Sequence, residues 1–415
     1  MPPENPSRER GVTTIDAARF LADLHALRAF GRDGNGVHRP TFSPQDIAAR
    51  DWFAGRAREA GLEVTIDGIG NILARDPAPG PHLLLGSHLE TQPHGGWLDG
   101  ALGCVAALEV ARSLGAGIDV AAFADEEGHF GTMLGSRSAI GDVTEAEIDA
   151  ASNRDLLSLR AALAAAGYAG RPRLRLDPSR YLGFIELHIE QGPELDSTGQ
   201  TLGVVSAIVG LRGYRVRFEG EQNHAGTTPM RLRHDAGAAL VRLAGAIAAE
   251  FPAAAAARTV WTIGRIELEP GAASIIPGAA TMIFQTRDTD ETVLDRLEAL
   301  LMQLAEQEGR GPCRVTVTRL RATAPAVMAP ALRAALQAAC EHAAPGNWQD
   351  MPSGAGHDAQ QIARIMPAAM LFAPSIGGIS HHTAEDTREP DLVRATAALA
   401  AAAARLLRPP SLPQP

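Results

Sequence analysis

Five side chains suited to binding a divalent cation, His88, Asp99, Glu127, His188 and His381, lie in four separated stretches of this 415-residue chain. The stretches read GSHLETQPHGGWLDG (86–100), ADEEGHFGTMLGSR (124–137), IELHIEQGPEL (185–195) and GGISHHTAED (377–386). Each falls where a strand-like run gives out. Imidazole and carboxylate together suit Zn²⁺, Mn²⁺ or another first-row divalent ion. Two of the stretches also carry a spare carboxylate beside a ligand, which metal-assisted hydrolysis uses to move protons. The pattern points to a dinuclear metallohydrolase.

Asp99, in Leu98-Asp99-Gly100, can bridge two ions through its two oxygens, and the glycines around it let the backbone turn sharply. His88 and His188 would complete one ion, Glu127 and His381 the other. Such a centre holds a water, lowers its pKa and polarises a scissile carbonyl. Glu126, adjacent to a ligand, is read as the general base. Taken singly, each of these residues would read as a surface or turn residue, and His25, His82, His94, His129, His234 and His342 are read that way. His382 offers the same imidazole as His381, and side-chain chemistry alone does not separate the two.

These residues need a scaffold. Helical spacing covers 14–30 and 44–61, the second opening on Ser43-Pro44. Strand-like runs at 62–68, 71–75 and 82–87 precede a helix at 101–114 and strands at 119–125 and 181–187. That alternation predicts an α/β domain with a largely parallel sheet and a site beyond the carboxyl ends of its strands. From residue 211 the order becomes strand 214–220, helix 234–251, strands 259–268 and 280–288, helix 291–308 and strand 314–322. This β-α-β-β-α-β order predicts a ferredoxin-like insert over 211–325. The catalytic domain is then 1–210 with 326–415, resuming through a helix at 330–343, a strand at 366–373 and a helix at 391–408.

The net charge of −10 argues against nucleic acid and anionic membranes as partners. All 38 basic residues are arginine. Three scattered cysteines (Cys104, Cys313, Cys340) read as free thiols in a reducing compartment. The N-terminal MPPENPSRERGVTT lacks the apolar core of a leader, and the alanine-rich 394–407 stretch, broken by Arg394 and Arg405, fits a packed helix better than a membrane span. A cytoplasmic protein is expected.

The strings GSHLETQPHGGWLDGALG, DEEGHFGTMLGSR, ELHIEQGP, HAGTTPM (224–230), SGAGHDA (353–359) and GISHHTAEDT resemble the hydantoinase/carbamoylase branch of the aminoacylase and carboxypeptidase-like metallohydrolases. The resemblance runs from about Gly36 to Asp391. It implies a zinc-exopeptidase-like catalytic domain, a lid that forms a homodimer, and two divalent ions (Zn²⁺, Mn²⁺, Co²⁺ or Ni²⁺) on the five ligands named, with His381 preferred to His382. It implies that Gln191, Ser274, Gly356 and His357 contact a small ureido or amide substrate and that Arg287 pairs with its carboxylate. His224 would reach into the partner's site and stabilise the oxyanion. Three positions depart from the family pattern: Glu90 and Gln285 replace aspartates, and Ser274 an asparagine. Glu90 is expected beside the metal ligands, orienting an imidazole or its neighbour.

The reaction implied is hydrolysis of the ureido C–N bond of an N-carbamoyl-L-amino acid. Allantoate and β-ureido acids are alternative substrates within the branch. An N-acyl-amino-acid hydrolase or dipeptidase, and a non-catalytic metal- or substrate-binding homologue, are the readings outside it.

Overall fold

The computed structural model describes residues 15–408; the 1–14 stretch read above as lacking a leader core lies outside the described residues. Contacts divide the chain into two compact units. The first takes the chain to Ser206, then Met328–Met351, and resumes at His357.

Local chemistry starts the helices of this unit. Helix α1 (Ala17–Arg28) is capped by the Asp16 carboxylate, which accepts from the Arg19 N–H. Helix α2 (Pro44–Glu59) is capped by Ser43, with Pro44 in its first turn. Helix α3 (Ala101–Leu114) runs between Gly100 and Gly115, both at positive φ. Its side chains from Ala101 to Ala111 are buried, as a helix laid against a sheet requires.

The strands are β1 (Glu63–Ile66), β2 (Ile72–Arg75), β3 (His82–His88), β4 (Ile118–Phe123), β5 (Tyr181–Ile189) and β6 (Leu202–Ile208), joined later by β11 (Trp348–Ser353) and β12 (Ala368–Ala373). Across the sheet they run β6-β12-β5-β3-β4-β2-β1, with β11 beside β6. The centre is parallel: β12 with β5, β5 with β3, and β3 with β4. The flanks are antiparallel. Strands β3, β4 and β12 are buried at every position, which explains their continuous apolar runs. The main core gathers Phe20, Leu24, Phe53, Leu102, Leu336 and Leu399 from the flanking helices against this sheet. A separate small core (Phe42, Phe130, Ile148, Leu163, Tyr168) lies under three short helices at Leu134–Ile140, Glu145–Ala150 and Leu159–Ala165. The sequence reading passed over these, because helices of six or seven residues carry too little periodicity.

The second unit comprises Ala207–Val327 and Pro352–Gly356. Its strands are β7 (Gly210–Glu219), β8 (Val260–Glu269), β9 (Ala279–Asp288) and β10 (Arg314–Thr323), and its helices α4 (Ala236–Ala254) and α5 (Glu291–Gly309). The sheet runs β8-β9-β7-β10 and is antiparallel throughout, the ferredoxin-like arrangement. The 352–356 segment, counted above with the catalytic domain, packs here instead. The Val209 N–H donates to Ser353 O at 3.1 Å, and Arg287 Nη1 to Gly354 O at 3.0 Å.

Helix α4 is long and apolar enough to cross a membrane, yet Leu240, Leu243, Ile247 and Phe251 are buried against this sheet. Phe251 meets Trp261 and Phe284 edge-on, each at 5.6 Å. Phe251→Ala is therefore expected to destabilise this unit by about 3–5 kcal/mol through lost burial and a residual cavity. Denaturant unfolding followed by Trp261 fluorescence measures it; a loss below about 1 kcal/mol would contradict this packing.

Candidate metal centre

The parallel strands of the first unit deliver the ligand candidates to one end of the sheet. His88 is the last residue of β3, and Glu126 and Glu127 follow β4. His188 lies within β5, which runs two residues beyond the stretch expected from sequence. Asp99 sits just before α3, and His381, at φ 55°, follows β12. Gly100 has no permissible substitute here: φ is +64°, and a Cβ would come within 2.4 Å of the His88 ring.

Among the described residues three groups of three candidate ligands form; two of them, His88–Asp99–His188 and Asp99–Glu127–His381, share Asp99, and the third, Glu186–His188–His357, shares His188 with the first. Asp99 Oδ1 lies 3.0 Å from His188 Nε2 and 3.4 Å from His88 Nε2. Its other oxygen, Oδ2, lies 3.1 Å from His381 Nε2, which is 3.6 Å from Glu127 Oε2. One carboxylate oxygen thus serves each of the two groups that share Asp99. His382 takes no part; its Nδ1 accepts from the Ala384 N–H.

The donor set fits a pair of divalent ions. His88 Nδ1 is held by Glu90 O at 3.1 Å and His188 Nδ1 by Ile189 O at 2.8 Å, so both rings present Nε2 to the centre. Glu127 Oε1 is buried and has no hydrogen-bond partner among the described residues. The site is also short of positive charge. Burial, and then Asp99, push Glu127 up, and burial pushes Glu126 well above the carboxylate range. The hydrogen bond to Asp99 drives His381 up to about 9. Bound cations would satisfy all of these groups.

Around the ligands lies a layer that sequence reading largely missed. Gln92 Nε2 donates to Glu127 Oε2 at 2.8 Å. Glu385, buried, accepts from the N–H groups of Leu98 and Asp99, each at 3.1 Å, and so fixes the Asp99 loop. Glu186 accepts from Ser87 Oγ and the Ala359 N–H. In SHHTAED and IELHIE the spacing to a ligand was available as a signal, but carboxylates near ligands are common in sequence. Glu90 stands beside the candidate ligands, its Oε1 3.9 Å from His88 Nδ1. Its main chain, not its carboxylate, holds His88; the carboxylate accepts from the Glu126 N–H at 2.6 Å and from Arg50 Nη2 at 2.5 Å.

Of the residues expected to touch substrate, Gln191 and His357 belong with the first unit. Gln191 Nε2 donates to Asp99 Oδ2 at 2.9 Å and to Ser380 Oγ at 3.2 Å. His357 is buried edge-on against His188, ring centres 4.5 Å apart, and burial lowers its pKa well below that of an ordinary imidazole. His224, Ser274, Arg287 and Gly356 lie in the second unit. There, a short ladder pairs His224 with Ile275, and Ala225 N–H donates to Ser274 O. His224 Nδ1 accepts from the Gly226 and Thr227 N–H groups at 3.0 and 3.2 Å, which places the ring proton on Nε2.

Residues 84–405 match the family model for peptidase family M20/M25/M40, and the chain belongs to that family of metal-dependent hydrolases. Amidases and amidohydrolases are among the proteins it resembles. The chain is 46% identical to an amidase of the hydantoinase/carbamoylase family from Burkholderia phymatum, with a TM-score of 0.88 over 95% of this chain and 98% of that one. It is 34% identical to an N-carbamoyl-L-amino-acid amidohydrolase of Paenarthrobacter aurescens over 92% of this chain and 95% of the relative. It is 36% identical to the allantoate amidohydrolase of Escherichia coli (strain K12) over 90% and 94%.

Proposed function

We propose that the protein hydrolyses the ureido C–N bond of an N-carbamoyl-L-amino acid or a related ureido acid, releasing the amino acid, carbon dioxide and ammonia. The observation that carries this reading is the pair of three-ligand groups joined through Asp99, with Glu126 Oε2 3.8 Å from His88 Nε2. The names of the relatives supply the ureido substrate class.

His88, Asp99 and His188 would hold one divalent ion, and Asp99, Glu127 and His381 the second, drawn from Zn²⁺, Mn²⁺, Co²⁺ or Ni²⁺. Bound ions would polarise the ureido carbonyl and acidify the attacking water. Glu126 takes the proton of that water and passes it to the leaving nitrogen. Burial raises its pKa, the direction that favours its returning the proton as an acid. His224, with its proton on Nε2, would donate to the developing oxyanion from a partner subunit. Gln191, Ser274, Gly356 and His357 would orient the substrate. A homodimer through the second unit is supported by edge strand β8, which exposes Val260, Ile266 and Leu268. The three buried free thiols support a cytoplasmic location.

Arg287 would anchor the substrate carboxylate. Burial, with Arg321 nearby, pulls its pKa down, so an incoming anion relieves a poorly compensated cation. Loss of this charged pair is expected to lower kcat/KM about 10- to 100-fold in Arg287→Ala, mainly through KM, and Arg287→Lys should not restore the bidentate fork.

The test is ammonia release from N-carbamoyl-L-amino acids, N-carbamoyl-β-alanine and allantoate, using protein stripped with chelator and reloaded with each ion. Metal-dependent release from one of these supports the reading. Silence across the panel, with N-acyl amino acids or dipeptides cleaved instead, replaces it.

A further inference from the structure

We infer that Arg50, acting through the carboxylate of Glu90, is a positioning residue for Glu126; the inference rests on the general-base reading above. Arg50 lies on α2, far in sequence from the site, and its side chain is fully buried. Its guanidinium reaches four separate parts of the first unit. Nε donates to Asp46 Oδ2 at 3.0 Å, Nη1 to Gly70 O at 3.0 Å, and Nη2 to Glu90 Oε2 at 2.5 Å, with Phe123 O at 3.4 Å. Gly70 precedes β2, Phe123 ends β4 and Glu90 follows β3. One rigid cation therefore ties together the ends of the strands from which the site projects.

Glu90 carries that constraint onward. Its second oxygen accepts from the main-chain N–H of Glu126 at 2.6 Å. The turn it grips is otherwise shaped by Asp125, at φ 58°, whose buried carboxylate accepts from the N–H groups of His129, Phe130 and Gly131. The Glu126 N–H is thus the point where helix α2 sets the direction of the base. The side chains of Arg50, Asp46 and Glu90 are all fully buried. Neither oxygen of Glu90 can be given up without leaving a buried donor unpaired.

Two substitutions at position 90 separate positioning from bulk stability. Glu90→Asp keeps the charge, but a carboxylate one methylene shorter cannot span Arg50 and the Glu126 N–H together. Glu90→Gln keeps the length, but its amide nitrogen must face one of two donors. Both are expected to lower kcat about 10- to 100-fold while KM and bound metal stay within about twofold, since His88 is held by the main chain of Glu90. Arg50→Lys, which retains charge without the fork, should do the same and serves if the position-90 variants fold poorly. Hydrogen–deuterium exchange of segment 124–131 gives a readout independent of substrate and should accelerate about tenfold or more in these variants. Unchanged kcat with unchanged exchange would overturn the inference, as would a change confined to KM or metal content. A wild type inactive on every ureido acid would count against the proposed reaction, while the exchange result would still decide the role of Arg50.

Discussion

Glu126→Gln is expected to keep its fold and its metal content and to lose turnover by between about 10²- and 10⁴-fold, the contribution of a positioned general base. The side chain is buried beside the ligands but belongs to none of the three-ligand groups. Gln is isosteric, so the cavity, the main-chain N–H contact with Glu90 and the ligand geometry are retained, and only the capacity to take a proton goes. Steady-state kinetics together with metal analysis measure both halves of the expectation. Near-normal kcat in a fully loaded variant would remove Glu126 from the proton path. Loss of metal in parallel with activity would instead make it a ligand.

The second large effect belongs to Asp99, the one residue common to the His88–Asp99–His188 and Asp99–Glu127–His381 groups. Asp99→Asn preserves shape and removes the negative charge that faces three imidazoles. Binding at both positions should weaken together, activity should fall below detection, and excess ion should no longer raise the melting temperature. In the wild type, an ion at 100 times its dissociation constant adds about 2.7 kcal/mol to stability, so chelator should lower the wild-type melting temperature and leave the variant where it is. Elemental analysis gives the ion count per chain. Two ions retained with normal thermal protection would show that the groups do not share Asp99 as their bridge.

Both expectations rest on residues that are legible in the amino-acid sequence. A carboxylate in Leu-Asp-Gly, two adjacent glutamates and three histidines after strand-like runs were recognisable because metal chemistry restricts ligand types so narrowly. The β-α-β-β-α-β order of the second unit was legible for a different reason. Its strands alternate on a half-exposed sheet and its helices are long, so both periodicities register clearly. The 134–165 helices were not legible, and neither was the place of the 352–356 segment, which two hydrogen bonds from Val209 and Arg287 assign to the second unit.

The amino-acid sequence by itself determined which chemistry the protein carries: the ligand types, the spare carboxylate, and the two kinds of domain that the hydrophobic periods demand. Only the tertiary structure decided how those groups are aimed. His381 rather than His382 meets Asp99, because a single positive-φ residue turns one imidazole inward. The Glu90 carboxylate holds the Glu126 N–H, while its main-chain carbonyl holds the His88 ring, because the carboxylate also accepts from a buried guanidinium on helix α2. Ligand identity is a property of single residues and survives in a string of letters. Orientation depends on hydrogen bonds between segments far apart in the chain, and those exist only once the strands have been laid side by side.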